Sequence, residues 1–356
     1  CSATTAAAAS AAQTTLESDL PLAPAGGRLA ASAASAEVDI LSVVQAVAEV
    51  GSLDETLLEA AAGALDRHAG VMDGPEAAAW LARAEPSPAG GASTRPFVLK
   101  EQQRLCVLWK PPGWAASAAN VPETSHGSRP PPSASSGLRQ MREWLTFEFP
   151  GHPITQDAIS THGLVHRLDR DTSGALLWAK GYAGLYAARL QFAARRVAKG
   201  YLCLTWGWLP PEPRLLDAPL LEVQGNRQGL SQSVVDPRGR AARTELAAVL
   251  HAVESDGGAV SLVQVRLHTG RMHQIRAHLS SEGHPLVGDG LYGPDSPAAT
   301  WCPRMFLHAW RLALDVGDGP LDMQLPLPTD LCRALTCLRP GGRLAQTALQ
   351  RWQLDR

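Results

Sequence analysis

What this 356-residue chain has little of narrows it first. Only 19% of its residues are charged, against about 25% in an average soluble domain. Tyr (4) and Phe (5) are scarce, although Trp (10) is not. The cysteines Cys1, Cys106, Cys203, Cys302, Cys332 and Cys337 contain no C-x-x-C pair, which argues against a zinc or redox framework. Scattered cysteines in a chain this long are expected to be reduced thiols of an intracellular protein. No apolar run approaches the ~20 residues that cross a bilayer as a helix. The opening "CSATTAAAASAAQTT" has neither charge nor an apolar core, so it does not read as a secretory signal. It also lacks the arginines of a transit peptide and reads as an inert linker. The chain starts at Cys rather than Met, as a fragment or a processed form would. The expected setting is the cytoplasm or an organelle (mitochondrion or plastid), with no membrane association.

What is present is unevenly distributed. Hydrophobic residues make up 45% of the chain, enough for a sizeable core, and the net charge of −2 hides an asymmetry. Residues 1–95 hold 4 Lys/Arg against 12 Asp/Glu, a balance of −8, whereas residues 160–312 hold 17 against 12, a balance of +5. A locally basic segment can meet a polyanion, although a mild excess is most often a solvated surface. Residues 1–36 are low-complexity and expected to be disordered. Residues 37–84 space Ile40, Val43, Val44 and Val47, then Leu57, Leu58, Ala61 and Leu65, at helical intervals, and Ser52 precedes Glu55 as in a capping box. Residues 85–96 are a Pro/Gly/Ser-rich linker, 97–320 one larger domain, and 321–356 a C-terminal tail with a short helix.

Within 97–320, strands are expected at 104–109, 201–209, 243–253, 259–268 and 306–314, with helices across 138–147 and 182–196. A polar, Pro- and Ser-rich surface loop is expected at 116–138. Strands interrupted by few helices, without regular βαβ alternation, predict an α+β fold on a mixed, mostly antiparallel sheet.

Two stretches concentrate the chemistry. In "GLVHRLDRDTSGALLWAKG" (163–181), the apolar runs Leu164–Val165 and Ala175–Ala179 read as buried strands around a polar knot, His166 to Ser173. Charged groups are rarely buried without partners. In "VRLHTGRMHQIRAHLSSEGHPLVGDGLYG" (265–293), Thr269 reads as an N-cap and Gly283 as the C′ stop of a short helix. Its apolar stripe is Met272, Ile275 and Leu279. Arg276 falls at the edge of that stripe and needs a carboxylate; Asp169 needs the reverse. Three other readings of these residues compete. Asp171-Thr172-Ser173-Gly174 matches an aspartic-protease turn poorly, because Ser173 intervenes before the Gly. His268, His273, His278 and His284 lack the spacing of a helical metal pair, so no metal is expected. Asp169 and Asp171 as a glycosidase pair stay open at this level.

"HRLDRDTSG" (166–174) resembles the signature of the RluA family of pseudouridine synthases. Further stretches are similar to that family, in its order: "VLWKPPGW" (107–114), "AKGYLCLTWG" (198–207), "GRAARTE" (239–245), "TGRMHQIRAHLSSEGHPLVGDGLYG" (269–293) and "LHAWRL" (307–312). The resemblance covers about 105–315. It implies a central RNA-binding cleft and isomerisation of uridine to pseudouridine in RNA (rRNA or tRNA), without metal or cofactor, by a protein expected to be monomeric. Carried over by position, Asp169 is the catalytic aspartate, Tyr201 the tyrosine that stacks on the base, and Arg276 the arginine paired with the aspartate. Arg167, Leu168 and Thr172 would shape the catalytic loop, and Arg271, His273, Gln274 and Ile275 would line the substrate site. The acidic, helical N-terminal segment departs from the basic S4-type domain that many relatives carry. The alternative is an RNA-binding module that keeps the fold without the chemistry.

Overall fold

The computed structural model describes residues 40–48, 53–65, 93–116, 139–224, 231–293 and 299–354. The low-complexity 1–36, Ser52 of the capping box, 66–84, most of the linker 85–96 and the loop 117–138 lie outside the described residues. The helices are α1 (40–48), α2 (55–65), α3 (Met141–Glu148), α4 (Tyr182–Ala193), α5 (Gln274–Ser281), α6 (Thr329–Thr336) and α7 (Arg343–Leu354). A 10-stranded sheet runs β1 (Phe97–Glu101), β2 (Leu105–Lys110), β5 (Ser173–Ala179), β12 (Leu307–Leu314), β6 (Ala198–Trp206), β11 (Ala259–Leu267), β10 (Arg243–Glu254), β14 (Leu338–Pro340), with β13 (Leu321–Gln324) on β12 and β7 (Arg214–Asp217) on β10. Within it the β12–β5 pairing is parallel and the others are antiparallel. The short β3 (Trp114–Ala115) and β4 (Arg139–Gln140) pair with each other, and β8 (Leu220–Gln224) and β9 (Ser231–Val235) form a separate hairpin. This is the α+β, mostly antiparallel architecture that the strand pattern predicts.

The sheet is buried on both faces. On β6, Tyr201 and Cys203 belong to one buried cluster and Leu202 and Leu204 to another, because successive side chains alternate across a strand. The first cluster takes in α4 through Leu185 and Ala188, and also Ile40, Val44, Leu58, Ala61 and Leu65 of the N-terminal helices. The second is closed by Leu331, Ala334, Leu335, Leu349 and Trp352. Residues 321–354, expected as a tail, thus cover the second sheet face and add β13 and β14 to the main sheet. The apolar backs of β6 and β11 would otherwise meet water.

Two local expectations are corrected. Leu164–Val165 does not form a strand. Leu164 bridges Trp178, Val165 N–H donates to Leu177 O, and the chain then leaves the sheet. The Leu177 N–H is met by the His166 ring instead, Nε2 accepting at 3.0 Å. That ring stacks on Phe192, and burial pushes it down to about 3, so it stays a neutral acceptor. Thr269 is not the N-cap of α5: His273 is, without a side-chain cap bond, and Met272 precedes the helix. The stop at Gly283 holds, with Gly283 N–H to Ser280 O at 3.0 Å and His284 N–H to Leu279 O at 2.9 Å, the paired bonds of a left-handed C-terminal cap.

Candidate active site

Asp169 lies on the loop between the Leu164 bridge and β5. Leu168 is anchored in the core, the Asp169 side chain is 16% exposed, and Thr172 N–H donates to Asp169 O to close the turn. The loop carbonyls are held from beneath by cations. Lys110, wholly buried at the end of β2, donates from Nζ to Arg170 O (2.9 Å), Thr172 O (2.7 Å) and Pro111 O (3.1 Å). Arg304 donates to Asp171 O and to Ser173 Oγ, both at 2.9 Å, while Asp330 of α6 holds its Nε at 2.6 Å. Gly174 (φ 138°) follows because β5 and β12 touch there, where a Cβ would overlap the Ala309 carbonyl. The loop backbone is therefore held in place, as a functional loop on a scaffold must be.

Burial pushes the Lys110 ammonium down to about 7, against the pull of Asp169 and Asp171. Between that value and its ordinary 10.5 the unfolded chain binds a proton that the folded one does not, so this group makes stability rise with pH in that window. The urea-unfolding free energy of wild type minus that of Lys110→Met should climb from pH 7 to pH 10; a flat difference would contradict the assignment.

Opposite the loop, α5 presents Arg276. Its Nη1 reaches Asp169 Oδ2 at 3.2 Å, but its two best bonds go to Asp289, Nε to Oδ2 at 2.7 Å and Nη2 to Oδ1 at 2.9 Å. Asp289 is fully buried as a side chain, and its Oδ1 also accepts Leu291 N–H and Tyr292 N–H. Burial disfavours both charges. The bonds to Arg276 nevertheless hold the Asp289 carboxyl below the usual range, and Asp289 with Asp169 holds Arg276 above its own. The expected Asp169–Arg276 pair is present as the outer half of a triad whose inner member, Asp289, the sequence reading missed. The Tyr292 ring faces the Arg276 guanidinium at 4.9 Å. Tyr201, on β6, is buried, and burial and then Asp169 push its hydroxyl up.

The other expected residues divide. Arg167 is exposed, and Thr172 is buried within the loop. Leu168 and Ile275 are core side chains. Gln274 is buried, its amide donating to Arg243 O and Thr244 Oγ1 and accepting from Thr269 Oγ1 and Arg271 N–H, so it ties the 269–274 loop to β10. Arg271 donates from Nε to Ala241 O. Beside it, Lys199 Nζ donates to Thr269 O and lies over the Phe192 ring. Burial first, and then the nearby Arg271 and Arg195, push that ammonium down to about 8. His273 lies with Nε2 4.0 Å from Asp169 Oδ1. The four histidines weighed as ligands make separate contacts: His268 with Glu245, His273 with Tyr292, His278 with Thr244, His284 with Trp206 O. Lys110 and Arg304 also escaped assignment, since nothing local marks a cation that acts through distant carbonyls.

Comparison with known proteins bears on this geometry. The family model described as RNA pseudouridylate synthase matches residues 154–281. An RNA pseudouridine synthase of Chloroflexus aurantiacus is 42% identical over 171 residues, 48% of this chain and 51% of that one. The ribosomal large subunit pseudouridine synthase D of Zymomonas mobilis is 35% identical over 245 residues, covering 66% of this chain and 70% of the relative. This chain belongs to the RluA family of pseudouridine synthases. The fold agrees: the solved human RNA pseudouridylate synthase domain containing 1 superposes with a TM-score of 0.54 over 76% of this chain and 98% of that one, at 24% identity. The chain spans about half the length of several curated RluA relatives, 51% of two of them. Asp169, Tyr201 and Arg276 all fall within the matched region.

Proposed function

We propose that this RluA-family chain isomerises uridine in RNA to pseudouridine, with Asp169 as the catalytic carboxylate. The observation that carries this reading is a half-buried carboxylate on a rigid loop, with its counter-charge supplied by Arg276 and a buried aromatic residue, Tyr201, near enough for Asp169 to act on its hydroxyl. The reaction breaks C1′–N1, turns the uracil and joins C5 to C1′; C5 loses its proton and N1 gains one. Asp169 begins this either as nucleophile at C1′ or as base at C2′. A uridine inside a helix is out of reach, so it must flip out and stack on Tyr201. Arg167 and Arg170, exposed on the loop, and the Lys199–Arg271 cluster are set to meet phosphates. Ribosomal or transfer RNA is the proposed substrate class, acted on by a monomer that needs no metal or cofactor. The test is tritium release from RNA carrying 5-tritiated uridine, with cyanoethylation mass shifts to locate the product; no release from total cellular RNA would overturn the reading.

Tyr201→Phe separates ring from hydroxyl. Among the described residues that hydroxyl has no hydrogen-bond partner in the protein, so unfolding free energy should stay within about 0.5 kcal/mol of wild type. RNA affinity should also persist, because the ring remains, while turnover slows if the hydroxyl moves a proton. Loss of affinity equal to that of Tyr201→Ala would assign binding to the hydroxyl instead.

A further inference from the structure

His273 begins α5 in the left-handed backbone region (φ 52°, ψ 25°), where non-Gly residues are uncommon and Asn, Asp and His are the most tolerated of them. That backbone turns its ring between two groups. Nδ1 lies 3.2 Å from the Tyr292 hydroxyl, and Nε2 lies 4.0 Å from Asp169 Oδ1, the carboxylate oxygen that Arg276 does not hold. The Tyr292 hydroxyl accepts the Ser233 N–H of β9 at 2.7 Å and lies 3.0 Å from Ser233 O. Ser233 Oγ in turn donates to Met272 O at 2.6 Å, fixing the residue before His273. Burial pushes the imidazole below its ordinary range; Asp169 and Asp289 oppose that push, and Arg276 and Arg167 add to it. The ring is thus neutral near pH 7 and has one proton to place.

The single Tyr292 hydroxyl hydrogen has two acceptors within reach. Donated to Ser233 O, it leaves the imidazole proton on Nδ1 and turns the Nε2 lone pair toward the carboxylate, which is repulsive. Donated to Nδ1, it leaves the imidazole proton on Nε2, facing Oδ1, which is attractive. The Asp169 charge favours the second arrangement. A 4.0 Å separation tightens to a hydrogen bond when substrate excludes water, as catalytic contacts in unliganded enzymes do.

We propose that His273 is a positioning residue: Tyr292 sets it as the Nε2–H tautomer, and it holds Asp169 Oδ1 while Arg276 holds Oδ2. This rests on the functional reading above and adds to it a second grip on the carboxylate, buttressed by the β8–β9 hairpin.

The test uses the full chain. The side-chain nitrogen of glutamine in His273→Gln occupies the place of Nε2 and can donate to Asp169; asparagine in His273→Asn reaches only the place of Nδ1. Asparagine is, however, the better residue for a left-handed backbone. A merely structural role therefore ranks Asn above Gln, and the positioning role ranks Gln above Asn. The expected result is kcat within roughly tenfold of wild type for His273→Gln and a loss of about 100-fold for His273→Asn, with KM for RNA nearly unchanged. Nitrogen-15 NMR of histidine-labelled wild type, with the His273 signal assigned by its loss in His273→Gln, should show the proton on Nε2. A proton on Nδ1, or higher turnover by the Asn variant, overturns the proposal. The NMR reads free protein, so it stands apart from the functional reading, which fails only if wild type makes no pseudouridine.

Discussion

Asp169→Asn should lose product formation by about 10⁴-fold or more, because the carboxylate takes part in the first bond change on either chemical route. An amide can neither attack C1′ nor take a proton from C2′. The two side chains are isosteric, and the turn around them is held by backbone contacts from Lys110 and Arg304 that the change leaves in place. Circular dichroism should match wild type. RNA binding should persist or tighten, since phosphate contacts and stacking remain and a negative charge near the RNA backbone is gone. Asp171→Asn is the matched control. Asp171 is exposed, and Arg304 holds its carbonyl rather than its carboxylate, so turnover should change by no more than about threefold, as surface substitutions usually do little. An active Asp169→Asn beside an inactive Asp171→Asn would move the chemistry to the other carboxylate.

Asp289→Asn carries the second large effect, on stability and activity together. Removing the Asp289 charge leaves Arg276 with only its longer contact to Asp169, and the cost approaches the ~3–5 kcal/mol of breaking a buried pair. The amide also turns an N–H toward a guanidinium that offers only donors, and one of the bonds to Nε or Nη2 is lost. Arg276 would then lose its anchor and its aim at Asp169, and kcat should fall by about 100-fold. Urea unfolding and tritium release measure the two effects. The double variant Asp289→Leu/Arg276→Met should recover much of the stability, because an apolar pair replaces a buried ionic one, but none of the activity. Wild-type stability and turnover in Asp289→Asn would show that Asp169 and Arg276 work as an isolated pair.

The carboxylate and the arginine were legible because each stood out locally. Asp169 interrupts two apolar runs, and Arg276 sits on the margin of a helical stripe; either would be costly without a partner. The partners were less legible. Asp289 looks like one more polar residue in a Gly-rich turn, yet it takes both best bonds of Arg276. The polar knot also contains members with unrelated duties: His166 serves the sheet by accepting the Leu177 N–H, Leu168 serves the core, and Asp169 meets Arg276. Composition cannot separate these, because the separation depends on which way a turn points each side chain.

By itself, then, the sequence determined the elements whose causes are short-range. β10 and β11 follow from apolar alternation and the turn at Gly257 (φ 91°), α4 from its helical spacing, and the end of α5 from Gly283. It also determined the family, since the motifs appear in order along one chain. Only the tertiary structure decided the parallel junction of β5 with β12, the closure of the second sheet face by residues 321–354, the failure of Leu164–Val165 to become a strand, and the addition of Asp289 and Tyr292 to the Asp169–Arg276 pair. The first two join residues far apart in the chain, and the last two depend on how the folded turns aim side chains that are nearer in sequence. Such contacts form only once the sheet has brought its strands together, and a buried charge takes whichever partner the packed interior places within reach.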